Sequence, residues 1–150
     1  MKLATETQPT TTSSDQHLLQ LPFGLIGLPK LTSFSLSPIE NSWPFMSMKW
    51  LGEERMDFVV IDPSGLIPDY EIELGDEDAD ALQITCAADA QVLNIVTVHS
   101  SRPHFVTVNL VGPVVVNRHT CIGKQIIILN WSRYSSHHPL IDQRPRANAA

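Results

Sequence analysis

The sequence predicts a mainly β, single-domain protein: a small antiparallel β-barrel-like fold with one short helix. Three observations carry that expectation. Short runs rich in β-branched and aromatic residues recur along the chain with turn signals between them. Pro38, Pro44, Pro63, Pro68, Pro103 and Pro113 fall between those runs, where a missing N–H breaks no ladder. The chain has 150 residues, 43% hydrophobic and 17% charged, which suits one domain around one core.

Taken in order, residues 1–18 are expected to be a disordered or degenerate lead-in: 5–16 read TETQPTTTSSDQ, low in large apolar side chains and without a period of 2 or 3.6. The domain is expected over 19–141, followed by a disordered tail at 142–150. LPFGLIGLPK at 21–30 sets Gly24 and Gly27 between Pro22 and Pro29 and reads as a tight apolar loop. Strands are expected at 31–36, 45–50, 57–61, 70–74, 91–99, 105–110, 114–117 and 122–129. The helix falls in GDEDADALQI. There Asp76 is expected as N-cap, and Glu77, Asp78 and Asp80 place negative charge at the positive end of the helix dipole. No segment repeats at a fixed period, which excludes a propeller or solenoid.

Charge and motifs narrow the function. The formal net charge is −6, so binding a nucleic-acid backbone through bulk positive charge is disfavoured. The apolar runs at 114–116 and 126–129 fall far short of the roughly 20 residues that a membrane span needs. The polar N-terminal stretch lacks the pattern of a secretory signal, which points to the cytoplasm. Cys86 and Cys121 stand in no CxxC or Cys/His spacing and are expected to be small, buried and reduced. There is no GxSxG elbow, no phosphate loop ending in Lys and Ser/Thr, and no dinucleotide fingerprint. The chain is therefore expected to be no enzyme and to carry no cofactor and no metal. The competing reading is a metal-binding or hydrolytic barrel in which the fold gathers His99, His104 and His119; an unrelated β interaction module is a third.

The strongest electrostatic feature is Asp69, Glu71, Glu73, Asp76, Glu77, Asp78 and Asp80, with no Lys or Arg among them. A calcium loop starting at Asp76 fails, because its required glycine is Ala81 and its bidentate glutamate is Ala87. Alternation of Tyr70, Ile72 and Leu74 against Glu71 and Glu73 fits a half-buried strand with a solvated acidic face. That face is either solvation alone or a partner surface. In VNLVGPVVVNRHTCIGKQIIIL, Asn117 and Arg118 sit at a turn and Gly123 lets Lys124 and Gln125 begin the next strand. Asn117 is read as closing that turn through its side chain and Lys124 as an edge charge, with a recognition surface as the alternative.

In sequence order, GLIGLP at 24–29, PF at 44–45, DFVVIDP at 57–63, DYEIEL with the acidic ALQI helix at 69–84, NLVGPVVVN at 109–117, IGKQ at 122–125 and YSSHHPL at 134–140 resemble the FliW family of bacterial flagellar assembly factors. The front departs from the family pattern, which usually opens with a strand: either that strand is degenerate here or it is absent, and its absence would leave one sheet edge open or differently covered. The resemblance implies a small antiparallel β-barrel-like fold and non-enzymatic partner switching between flagellin and the RNA-binding translational regulator CsrA, relieving repression of flagellin mRNA. A protein that is monomeric when free, with no direct contact to nucleic acid or membrane, goes with it. The acidic residues are assigned to the CsrA contact. Asn117, Arg118, Gly123, Lys124, Gln125, His138 and Pro139 match family motifs, with either a structural or a binding role.

Overall fold

A computed structural model describes residues 1–4, 16–99 and 105–142. The elements are β1 (Lys2–Ala4), β2 (His17–Gln20), β3 (Ser33–Pro38), β4 (Phe45–Trp50), β5 (Asp57–Ile61), β6 (Glu71–Glu73), α1 (Asp76–Ala81), β7 (Ala90–His99), β8 (Phe105–Val108), β9 (Val114–Asn117), β10 (Gly123–Gln125) and β11 (His138–Asp142). Among the described residues the protein is thus mainly β, with antiparallel ladders and one short α-helix, as the alternating runs and proline placement imply.

Strands lie in the order β10-β9-β7-β5-β4-β3-β2, with β8 on β7 and β11 on β8, while β1 and β6 form a separate pair. β7 makes the fold curl. Ala90 to Leu93 pair with β9, Asn94 to Val96 with β5, and Val96 to His99 with β8. Leu93 and Asn94 are consecutive yet both buried, which strict alternation on a one-sided sheet forbids; the strand passes there from one layer to the next. At the far ends of the path, Gln20 N donates to Cys121 O at 2.9 Å and forms a single parallel bridge with Ile122. One bridge is not a ladder, so the sheet curls like a barrel without closing.

The expected single core resolves into two apolar clusters on opposite faces of shared strands. Val114 and Val116 enter one with Leu19, Phe34, Met48, Val60 and Leu93. Val115 enters the other with Leu3, Ile61, Tyr70, Ile72 and Ile128. β9 is consequently buried on both faces and reads as an unbroken apolar run rather than an alternating one.

Several expectations change. The lead-in at 1–18 contains strand at both ends: Lys2–Ala4 pair with β6, and His17 and Leu18 belong to β2, while 5–15 lie outside the described residues. A three-residue strand such as β1 is too short to show a period, and Leu3 alone anchors it in the core. Asp142 closes β11, an unanticipated strand, and the rest of the tail at 143–150 lies outside the described residues. The helix N-cap is Gly75 with no side-chain cap, because Ala79 N bonds Gly75 O; Asp76 is already helical. The run expected at 122–129 gives ladder only over Gly123–Gln125. Cys86 is exposed, at the start of the short 3-10 turn Ala87–Asp89, and Cys121 is half-buried, so neither is the fully buried residue expected.

Candidate functional site: an acidic face

Tyr70, Ile72 and Leu74 are buried, and Glu71 and Glu73 are half-buried on the other face of β6, matching the predicted alternation. Both backbone edges of β6 are occupied. β1 covers one, with Leu74 N donating to Met1 O at 2.7 Å. Side chains mimic a strand on the other: Asn130 Oδ1 accepts from Glu73 N at 2.9 Å, Asn130 Nδ2 donates to Glu71 O at 2.8 Å, and Tyr134 Oη accepts from Glu71 N at 3.1 Å. Asn130 carried no signal in the sequence beyond being a turn residue; Tyr134 lay within the YSSHHPL motif. Beneath the strand, Tyr70 donates to Leu110 O at 2.6 Å and accepts from Asn94 Nδ2 at 3.1 Å. Burial pushes its phenol well up, which keeps it a neutral donor.

Asp69 sits in the left-handed region at φ 59°, at the turn that starts this segment. Asp76, Glu77 and Asp80 are exposed on and around α1. Asp78 is different, because Lys124 Nζ lies 2.8 Å from its Oδ1. Among the described residues the other carboxylates of the segment have no ion-pair partner; Lys2, across the ladder from Glu73, makes none with it.

The motif residues of the β9 to β10 segment are tied into the fold. Asn117 is buried: Nδ2 donates to Leu82 O at 2.9 Å and Gln83 O at 3.2 Å, while Oδ1 accepts from His119 N at 2.8 Å and Thr120 N at 3.2 Å. It therefore closes the turn, as expected, and also holds the end of α1. Arg118 Nε donates to Ala90 O at 3.1 Å. A Cβ at Gly123 would stand 2.7 Å from Val115 O, so the strand approach needs glycine. Lys124 is a tether to α1 rather than a free edge charge, and its ammonium lies 5.3 Å from the Phe23 ring centroid. Gln125 Oε1 accepts from Ile26 N at 2.8 Å and its Nε2 donates to Gly112 O at 3.0 Å, pinning the apolar loop. In that loop Gly24 has φ +68°, and a Cβ there would meet Leu28 O at 2.6 Å. His138 and Pro139 open β11 opposite Val108 and Thr107, and the register shifts between Pro139 and Ile141, where proline's missing N–H is tolerated.

The fold does not bring together the two described histidines of the competing reading, His99 and His119. His99 ends the ten-residue β7, stacking on Phe105 at 4.6 Å, whereas His119 bonds Asp89 at 3.0 Å beside the other end. At about 3.3 Å per residue these ends are roughly 30 Å apart. His104 lies outside the described residues. Among the described residues no group of three His, Cys, Asp or Glu side chains is placed to hold a metal ion. No helix among them is long and apolar enough to cross a membrane.

Fold and surface together define a class: a small curled antiparallel β domain whose polar motif residues mostly stitch strands and loops, leaving an acidic face exposed. Comparison with known proteins specifies it further. The model of the FliW protein family matches residues 2–140, and the chain belongs to that family. It is 35% identical over 138 residues to a flagellar assembly factor FliW of Natranaerobius thermophilus, covering 91% of each chain. To that of Clostridium novyi it is 35% identical over 143 residues, covering 95% of this chain and 99% of the relative. A crystal structure of the flagellar assembly factor FliW superposes with a TM-score of 0.73 at 28% identity, covering 97% of this chain and 100% of the other.

Proposed function

We propose that this chain is a cytoplasmic, non-enzymatic switch that binds flagellin and, when flagellin is exported, binds and antagonises CsrA. The reading rests on family membership across nearly the whole chain, as the resemblance implies. The observation that carries the CsrA half is the unpaired acidic face. Glu71 and Glu73 are held outward by a strand clamped on both edges, and Asp76 and Glu77 continue the charge onto α1. A regulator that grips RNA must present positive charge; an acidic protein docking beside that surface gains complementary contacts and repels phosphate. Asp69 and Asp80 extend the field at its margins. Asp78 is engaged by Lys124 and contributes less.

A pull-down against flagellin and CsrA from the same organism tests the reading, and capture of neither overturns it. Charge reversal at Glu71, Glu73, Asp76 and Glu77 together, sparing the tethered Asp78, is expected to weaken CsrA binding at least tenfold and flatten its salt dependence. Unchanged affinity in a folded variant sinks the electrostatic assignment and leaves the family assignment standing.

A further inference from the structure

A cleft that the partner reading does not use lies where β1 meets the 3-10 turn Ala87–Asp89. Asp62 and Ser64 from the turn after β5, Ala87, Ala90 and Val92, and Arg118 just past β9 line it, with β1 as a further wall. Its room, about 20 Å³, takes one water-sized group. Asp62 is only 7% exposed, and its carboxylate has a single hydrogen bond among the described residues, Oδ1 accepting from Ser64 N at 2.9 Å. A carboxylate offers about four acceptor sites, and a buried charge so sparsely bonded is costly. Among the described residues, Asn94 Oδ1 alone is a fully buried side-chain polar atom without a partner. The second Asp62 oxygen is therefore not sealed in; it opens toward the cleft that the residue lines.

Arg118 uses its backbone N on Asp89 O at 2.7 Å and its Nε on Ala90 O at 3.1 Å, and the terminal nitrogens of its guanidinium bond nothing among the described residues. The neighbouring carboxylate, Asp89, is taken by His119 and Thr85. No ion pair joins Arg118 to Asp62 either, although both line the same cleft.

These two unpaired charges restrict the occupant. A lone anion at Arg118 meets the Asp62 carboxylate, and a lone cation at Asp62 meets the guanidinium; a group carrying both charges escapes both penalties. A divalent metal is repelled by Arg118, and among the described residues no three His, Cys, Asp or Glu are placed to hold one. An ammonium is water-sized and brings three donors, which suit the spare acceptors of Asp62 and the Ser64 hydroxyl. Only that group needs to enter, because Arg118 is exposed and can take a carboxylate at the mouth. We propose that this cleft binds a small free α-amino acid, glycine or alanine in size, with its ammonium on Asp62 and its carboxylate on Arg118. The proposal does not depend on the flagellin and CsrA reading.

Calorimetric titration of the full chain with glycine and L-alanine tests it, with N-acetylalanine, alanine amide, methylamine and acetate as comparisons. Saturable binding of glycine and alanine is expected, with each comparison compound weaker than alanine by about tenfold or more. Asp62→Asn, which keeps Oδ1 for Ser64 N, and Arg118→Gln should each weaken alanine by a similar factor. The comparison compounds are read on the wild type, so a variant that fails to fold does not remove the test. No saturable binding of glycine or alanine up to about 10 mM overturns the proposal. Methylamine or acetate binding as tightly as alanine assigns the cleft to a single charge, and alanine amide doing so assigns it to a peptide N-terminus; either result overturns the proposal. So does unchanged alanine affinity in both folded variants, which puts the amino acid elsewhere. If Asp62 and Arg118 instead pair with each other, the wild type binds none of these compounds and the two substitutions couple in urea denaturation. Capture of flagellin or CsrA is a separate measurement, so failure here leaves that reading standing.

Discussion

Lys124 joins three segments distant in sequence: its ammonium lies 2.8 Å from Asp78 Oδ1 and 5.3 Å from the Phe23 ring centroid. One side chain of β10 thereby sets the position of the acidic helix relative to the apolar loop. Side-chain exposures of 34% for Lys124 and 25% for Asp78 allow solvent screening, which limits the pair to about 0.5–1 kcal/mol. Lys124→Met and Asp78→Asn are each expected to lower unfolding stability by about that amount, and the double variant by less than their sum. A urea-denaturation cycle at low and high salt measures the coupling; zero coupling at both salts refutes the tether.

Asn117 satisfies four backbone groups at once, linking the β9 to β10 turn to the end of α1. Asn117→Ala leaves several of them unsatisfied and is expected to cost about 2–4 kcal/mol. Asn117→Asp keeps the acceptor for His119 N and Thr120 N but sets a carboxylate against Leu82 O and Gln83 O, so it should rescue little. Denaturant midpoints of the two variants decide the matter.

Asp89 carries the acid sensitivity of the same corner. The hydrogen bond from His119, then those from Thr85 and Cys86, hold its carboxyl down at about 2, below the ordinary 3.8. A folded-state value below the unfolded one contributes stability that is fully present above about pH 4 and is lost as pH falls toward 2. Urea midpoints measured from pH 5 to pH 2 are expected to show wild type and Asp89→Asn converging across that window. A gap independent of pH shows that the carboxylate's charge is not what the corner uses.

Gly24 and Gly27 make a paired comparison. Both have positive φ, +68° and +83°, but only at Gly24 does a Cβ meet backbone, 2.6 Å from Leu28 O; at Gly27 it meets open space. Gly27→Ala is expected to cost about 1 kcal/mol, from conformation alone. Gly24→Ala should cost more, about 2–3 kcal/mol, and shift the loop that carries Phe23 and Ile26. Equal melting temperatures for the two variants contradict the close approach at Gly24.

Much of the fold was legible locally. Strands at 45–50, 57–61 and 114–117 appear where composition and proline spacing put them, because a half-buried or buried strand writes its burial into every second residue or into an apolar run. The strands at Lys2–Ala4 and His138–Asp142 were not legible, since three residues, or five containing a proline and a bulge, carry too little pattern. The outward face of Glu71 and Glu73 followed from alternation with Ile72. That Asn130 and Tyr134 occupy the free edge of their strand did not, because those contacts span roughly sixty residues.

By itself the amino-acid sequence determined the β class, the acidic concentration from Asp69 to Asp80, and motifs specific enough to indicate the family. Only the tertiary structure decided which of those charges is spent inside the molecule. Asp78 is taken by Lys124, while Glu71, Glu73, Asp76 and Glu77 remain unpaired among the described residues. It likewise decided that Gln125 holds Ile26 N and that Leu129 N bonds Glu73 O. The reason is physical: periodicity reports which side of its own strand a residue faces, whereas strand order and register across a curled sheet determine what it faces there.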